Sequence, residues 1–186
     1  HFNAFHKETL GWLNASAAPP IVVASASGAY TIQSYEATGS SGARALKVPK
    51  GVDAVTGAKT WYYIEYRRPV GYDAVLASQY GSNLVTGLIV RQGTDGDGNS
   101  SYMLDMTPGT IPTFDLGDAA LVAGQSFNDV AAGVTLSLVA ADSNAATVQV
   151  SMNPTTASCT RAAPQLSLAG GGSTVAAGTP VSYALT

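Results

Sequence analysis

His1 and His6 are the only imidazoles in this 186-residue sequence, and both fall in its opening stretch, HFNAFHKETLGWLN. Histidine pairs on a helix do zinc chemistry when they stand four residues apart with a glutamate between them as general base. That spacing aims both rings at one ion. Here the spacing is five, which turns the rings about 140° apart around a helix axis. One ion cannot easily take both. His6 also falls inside an apolar stripe, so it reads as a half-buried histidine of a packed helix, not as a ligand.

Asp95, Asp97 and Asn99, in TDGDGNSS, place side-chain oxygens at alternate positions, as a calcium loop does. They are the metal candidate of the chain. An EF-hand needs glycine at its sixth position and glutamate at its twelfth, where this sequence has Ser100 and Met106. The competing reading is a polar hairpin turn, which Asp-Gly and Gly-Asn favour.

Glu65 and Arg67 are two apart and therefore share one face of a strand. With Arg68, Asp73 and Arg91 they have the makings of an acid–base site, but no nucleophile accompanies them. An ion-pair cluster that organises the central strands is the expectation, since such networks mimic functional sites. Trp61, Tyr62, Tyr63, Tyr66, Tyr72, Tyr80 and Tyr102 could stack on sugar rings. Alternation through 61–66 sends at most half of that run to one surface, and strand aromatics mostly fill cores. No Gly-x-Ser-x-Gly elbow or phosphate loop occurs. No catalytic or cofactor-binding residue is assigned on these grounds.

The elements that must position these groups follow from the hydrophobic pattern. Phe2, Phe5, Leu10, Trp12 and Leu13 fall on one broad helical stripe, with Asn3, Lys7 and Glu8 outside it. Gly11 suits a helix stop that needs positive φ. After Asn14 the chain reads as strands about ten residues apart with turn signals between them. TWYYIEYRRP, aromatic or β-branched on both faces, reads as a central, two-sided strand, with LVTGLIVRQ as its partner. A strand in SSGARALKVP is expected to stop at Pro49. Val134, Leu136 and Leu138 alternate with Thr135, Ser137 and Val139, and DSNA turns the chain into ATVQVSM with Val148 and Val150 inward. The core is expected from 61–66, 84–90, 134–138 and 146–152.

The expected fold is mainly β, an antiparallel sandwich or barrel-like domain over 15–152 preceded by one short helix. Residues 153–164 read as a linker and 165–186 as the first strands of an incomplete domain. Charged residues make up 11% of the chain and the net charge is −3. Without a basic run, nucleic acid is not an expected partner. No apolar run approaches a membrane span. The single Cys159 has no partner for an internal disulfide. A hydroxyl-rich, weakly charged surface of this kind is a style of secreted bacterial β-domains, and the strand-like VSYALT at the end reads as a cut edge of a longer exported protein.

Several stretches, in order, resemble the region downstream of the zinc site in gametolysin-type secreted metallopeptidases, relatives of the immune-inhibitor-A type. FNAFHKETLGWL resembles the last helix of their catalytic domain. YYIEYRRPVGYDAVL with GLIVRQ resembles their central segment. YMLDMTPG, DAALVAGQSFNDVAAGVTLSLV and ATVQVSM resemble the closing strands of the following β-domain, and CTRAAPQLSL with AAGTPVSYALT is similar to the opening of an immunoglobulin-like repeat. The resemblance implies that residues 1–14 end an upstream catalytic domain of the same polypeptide. It also implies a protein or peptide substrate and a zinc ion held by that domain. The family's His-Glu-x-x-His motif with a third histidine is absent, so no catalytic residue carries over and the chain alone is expected to be inactive.

Two functions are therefore expected: a non-catalytic accessory β-domain of a secreted zinc endopeptidase, or an independent extracellular adhesion or carbohydrate-binding module.

Overall fold

A computed structural model describes residues 2–14, 20–39, 41–78, 83–110 and 115–153. The expected strands over 165–186, Cys159, and the 153–164 linker beyond Asn153 lie outside the described residues.

The described chain is a two-sheet β-sandwich with one short helix. One sheet holds β1 (Ile21–Val23), β3 (Ala45–Val52), β4 (Lys59–Tyr66), β5 (Leu88–Thr94) and β6 (Asp97–Met103), in that order. The other runs β2 (Gly28–Gln33), β9 (Ala145–Met152), β8 (Val134–Ala141) and β7 (Ser126–Asp129). Every named pairing is antiparallel except β1 with β3, which is parallel. Among the described residues no helix is long and apolar enough to cross a membrane.

Alternation builds the core between the sheets. Val134, Leu136 and Leu138 of β8 and Ala146, Val148 and Val150 of β9 are buried. They meet Leu46 and Val48 of β3, Tyr62, Ile64 and Tyr66 of β4, and Leu88 and Val90 of β5. Each such leucine or valine contributes about 1.5–3 kcal/mol by leaving water. Two phenols cross the sandwich: Tyr62 donates to the Asp129 carboxylate, and Tyr66 donates to the Asp142 carbonyl at 2.6 Å.

β4 lies between β3 and β5 and is buried on both faces, as its composition predicts. Its other face, Trp61, Tyr63 and Glu65, points away from the second sheet and is covered by helix α1 (Ala4–Thr9). α1 is shorter than the apolar stripe suggests. Asn3 caps it, its side chain accepting from the His6 N–H at 3.0 Å, which satisfies one otherwise orphaned donor. Gly11 takes φ 74° just beyond it, the conformation expected of a helix stop. The stripe itself divides. Ala4, Phe5 and Leu13 are buried on the sheet, whereas Phe2, Leu10 and Trp12 are 50–60% exposed.

Three expectations need correction. β5 begins at Leu88, because Asn83–Val85 is a 3-10 turn. A Cβ on Gly87 would sit 2.8 Å from the Leu121 carbonyl oxygen, so the chain reaches the sheet through a close backbone contact open only to glycine. β3 does not stop at Pro49 but continues to Val52 across an irregularity between Pro49 and Gly51. β1 pairs only with residues 45–47, so the missing N–H of Pro49 lies beyond it, on a locally open edge where proline is tolerated. The turn expected over 95–99 is only Asp95-Gly96, with Thr94 opposite Asp97. Gly96 at φ 80° supplies the conformation a two-residue hairpin turn needs.

Candidate functional site

The charged and polar groups singled out by type gather mainly in one place, between α1 and the outer face of the five-stranded sheet. Strand periodicity sets the floor: Lys47 opposes Tyr63, Tyr63 opposes Arg91, and Glu65 opposes Ile89. A glycine lets the helix come close. Gly93 of β5 lies under the Phe5 ring, and a Cβ there would fall 2.5 Å from Phe5 Cδ2. Phe5 meets Tyr63 edge-on with centroids 5.4 Å apart.

Glu65 is 0% exposed, and both its oxygens are used. Oε1 accepts from the backbone N–H of Ala4, the first residue of α1. Oε2 accepts from Arg67 Nε at 2.8 Å and Nη2 at 2.7 Å. The other arm of the Arg67 fork, Nη1, reaches Asp73 Oδ1 at 2.7 Å. Asp73 sits in a 3-10 segment, Gly71–Ser78, where the sequence suggests only a loop. The Arg67 guanidinium also stacks 4.3 Å from the Tyr35 ring centroid and lies 3.5 Å from the Phe2 carbonyl.

A second group sits further along the helix. Tyr63 OH donates to Glu8 Oε2 at 2.5 Å, and Lys47 Nζ reaches the same oxygen at 2.9 Å. Lys47 lies 4.3 Å from the Trp61 ring centroid, which stabilises a cation held away from water. On the near side of α1, Lys7 pairs with Glu36 at 3.5 Å and lies over the Tyr35 ring.

Burial and pairing compete in this layer. Burial alone lowers the pKa of the Arg67 guanidinium, but Glu65 and Asp73 together raise it above its ordinary value. Burial raises the Asp73 carboxyl against the pull of Arg67. Burial, then the hydrogen bond to Glu8, pushes the Tyr63 phenol up, so Tyr63 keeps its proton and serves as a donor. These groups hold elements together: three charged side chains and one helix N–H close a network spanning α1, β4 and the 71–78 segment.

Of the five residues expected to cluster, the structure joins Glu65, Arg67 and Asp73 by hydrogen bonds. Arg91 lies beside them and feels Glu65 through space, but its Nη2 faces Met103 Sδ at 3.8 Å. Arg68 leaves the group, donating to the Val85 carbonyl at 2.8 Å. Tyr35, Glu8, Lys47 and the Ala4 N–H belong to the layer and escape sequence reading. Lys47 and Glu8 carry one available signal, position on a strand or on the helix, and Tyr35, in the turn after β2, carries none.

The calcium candidate residues form a hairpin turn and the start of β6. Asp95 pairs with Lys47 at 3.6 Å, while Asp97 Oδ1 accepts from the Asn99 N–H at 2.9 Å. Among the described residues no three or more His, Cys, Asp or Glu side chains converge as a metal-binding group. Nor do the residues present fit the zinc ion of the resembled family. His1 lies outside the described residues, and His6 Nε2 faces the Gly98 carbonyl at 3.3 Å. Of the aromatic set, Tyr62, Tyr63 and Tyr66 are buried, Trp61 is partly buried, and Tyr72 and Tyr102 are exposed. Tyr80 lies outside the described residues.

No protein-family profile, curated protein or solved structure matches this chain.

Proposed function

We propose that this chain is a non-catalytic accessory β-domain of a secreted zinc metalloendopeptidase, and that its helix couples the sandwich to the catalytic domain. The observation that carries the reading is the division of the Glu65 carboxylate between the first N–H of α1 and Arg67. It spends the most buried charge of the layer on fixing a six-residue helix to a sheet. A helix that short is not stable alone. Held in this way it becomes a rigid bracket, with Phe2, Leu10 and Trp12 facing outward. An exposed apolar patch of this kind marks a protein contact, and a catalytic domain joined to α1 would cover it. The ordered resemblance of the segments to the post-zinc region of gametolysin-type enzymes supports the choice of partner.

The test is to express the chain alone and joined to its upstream coding region, and to assay zinc-dependent casein hydrolysis. The chain alone is expected to be inactive. The joined protein is expected to be active, and to lose activity at a lower temperature when Phe2, Leu10 and Trp12 are replaced by serine. Hydrolysis by the chain alone, or an upstream region without a His-Glu-x-x-His motif, would sink this reading.

A further inference from the structure

Beside the ion-pair layer, a cavity of about 210 Å³ opens between the Gly71–Ser78 segment and strands β5 and β6. Its walls are mostly apolar: Val75, Leu76, Leu84, Ile89 and Met103. Its floor is polar, with Arg67 Nη1 paired to Asp73 Oδ1 at 2.7 Å. Arg91 remains. Its Nε is buried without a hydrogen-bond partner, and Nη2, on the same edge of the guanidinium, is given only the Met103 thioether at 3.8 Å. Glu65 attracts Arg91 through space, but its oxygens go to Ala4 and Arg67.

An arginine cannot shed its proton to escape burial. A charged donor edge facing a weak sulfur acceptor is the kind of buried orphan that calls for an explanation. The Nε–Nη2 edge is the geometry that takes a carboxylate with two parallel hydrogen bonds. Methionine is flexible enough to swing aside. The neighbouring carboxylates of Asp73 and Glu65 weigh against a dianion such as phosphate, because like charges at short range in a low dielectric repel strongly. A single negative charge on an apolar body suits both floor and walls. A dry cavity of about 150 Å³ holds a benzene, so this one takes a body only modestly larger.

We propose that this cavity binds a small monocarboxylate with a branched or aromatic body, its carboxylate replacing the Met103 thioether on the Nε–Nη2 edge of Arg91. Tyr72 and Val75, both more than half exposed, stand at its mouth, where a ligand enters. The carboxylate can come from a free acid or from the C-terminal residue of a peptide, since the cavity reads the same group in both.

The test uses the full chain with its three methionines carrying 13C-labelled methyl groups, titrated with 4-methylpentanoate and followed by NMR. The Met103 methyl signal is expected to move saturably. The uncharged 4-methylpentanamide is expected to leave it in place, and Arg91→Gln is expected to weaken binding about tenfold or more, as loss of a charged hydrogen-bond partner does. N-acetyl-Gly-Leu and its C-terminal amide complete the set. Tighter binding of the peptide acid identifies a peptide terminus as the ligand, and tighter binding of the free acid identifies a metabolite. Equal shifts with acid and amide would overturn the proposal. So would the absence of a saturable Met103 shift at about 50 mM, well above a millimolar dissociation constant. The acid–amide comparison runs on the unaltered chain, so it decides the matter even if Arg91→Gln does not fold.

Discussion

The two faces of β4 solve opposite problems with neighbouring residues. Tyr62, Ile64 and Tyr66 face the second sheet and join an apolar core whose polar content is confined to phenol tips. Trp61, Tyr63 and Glu65 face α1 and join a layer held by carboxylate, guanidinium and ammonium groups. The inner face buries a wide apolar area against the second sheet. The outer face must hold one short helix in one position. Apolar contact is non-directional, whereas an ion pair with shared hydrogen bonds fixes geometry. The difference shows which contact binds sheets and which one positions an appendage.

The largest effect is expected on the outer face. Glu65→Ala leaves Arg67 buried with half its partners gone and frees the Ala4 N–H, so unfolding in urea should register a loss of about 3–5 kcal/mol. A loss below about 1 kcal/mol would mean that Glu65 does not anchor the helix, and the contrast between the faces would collapse. On the inner face, Leu136→Ala removes a fully buried side chain of β8 and should cost about 2–5 kcal/mol. A value within about 0.5 kcal/mol, typical of surface substitutions, would put Leu136 outside the core.

Tyr62→Phe sharpens the comparison most finely, because it keeps the ring and deletes only the bond to Asp129. A loss of about 1–3 kcal/mol is expected near neutral pH, as for hydrogen bonds to charged groups. The bond from Tyr62, followed by the Ala132 N–H, holds the Asp129 carboxyl below its usual range. A carboxyl depressed in the folded state contributes stability above its unfolded pKa of about 3.9 and loses it as pH falls through the folded value. The gap between Tyr62→Phe and the parent chain should therefore narrow in urea titrations below about pH 4. A gap independent of pH would show that Asp129 is not the acceptor that matters.

Local pattern made much of the sandwich legible. β8 and β9 announce themselves through alternation over Val134–Leu138 and Ala146–Val150, and β4 through an aromatic run buried on both faces. What escaped depends on contacts distant along the chain. β2 pairs with β9, Gly28 opposite Val150, and nothing in either segment names the other. β7, with the sequence SFND, carries one apolar residue and no alternation to read. The site was legible to the same degree. Glu65 and Arg67 share a face by spacing alone, and Asp73 joins them through a 3-10 segment with no strand or α-helix pattern. The helix N–H that completes the network has no side-chain signature. Gly93 looks like a weak point in a strand, and the Phe5 and Tyr63 rings around it explain its lack of a side chain.

The Asn3–Ser101 hydrogen bond spans 98 residues of sequence, and Phe5 waits nearly as long for Gly93. During synthesis at about 5–20 residues per second, α1 is made roughly five to twenty seconds before the strand that receives it. Throughout that interval Phe5 and Leu13, both buried in the finished domain, stand in water beside Phe2 and Trp12. The growing chain thus carries α1 without the sheet that buries it until β5 and β6 have been made. Residues 2–14 are therefore a stretch that a chaperone acting on the growing chain has reason to hold.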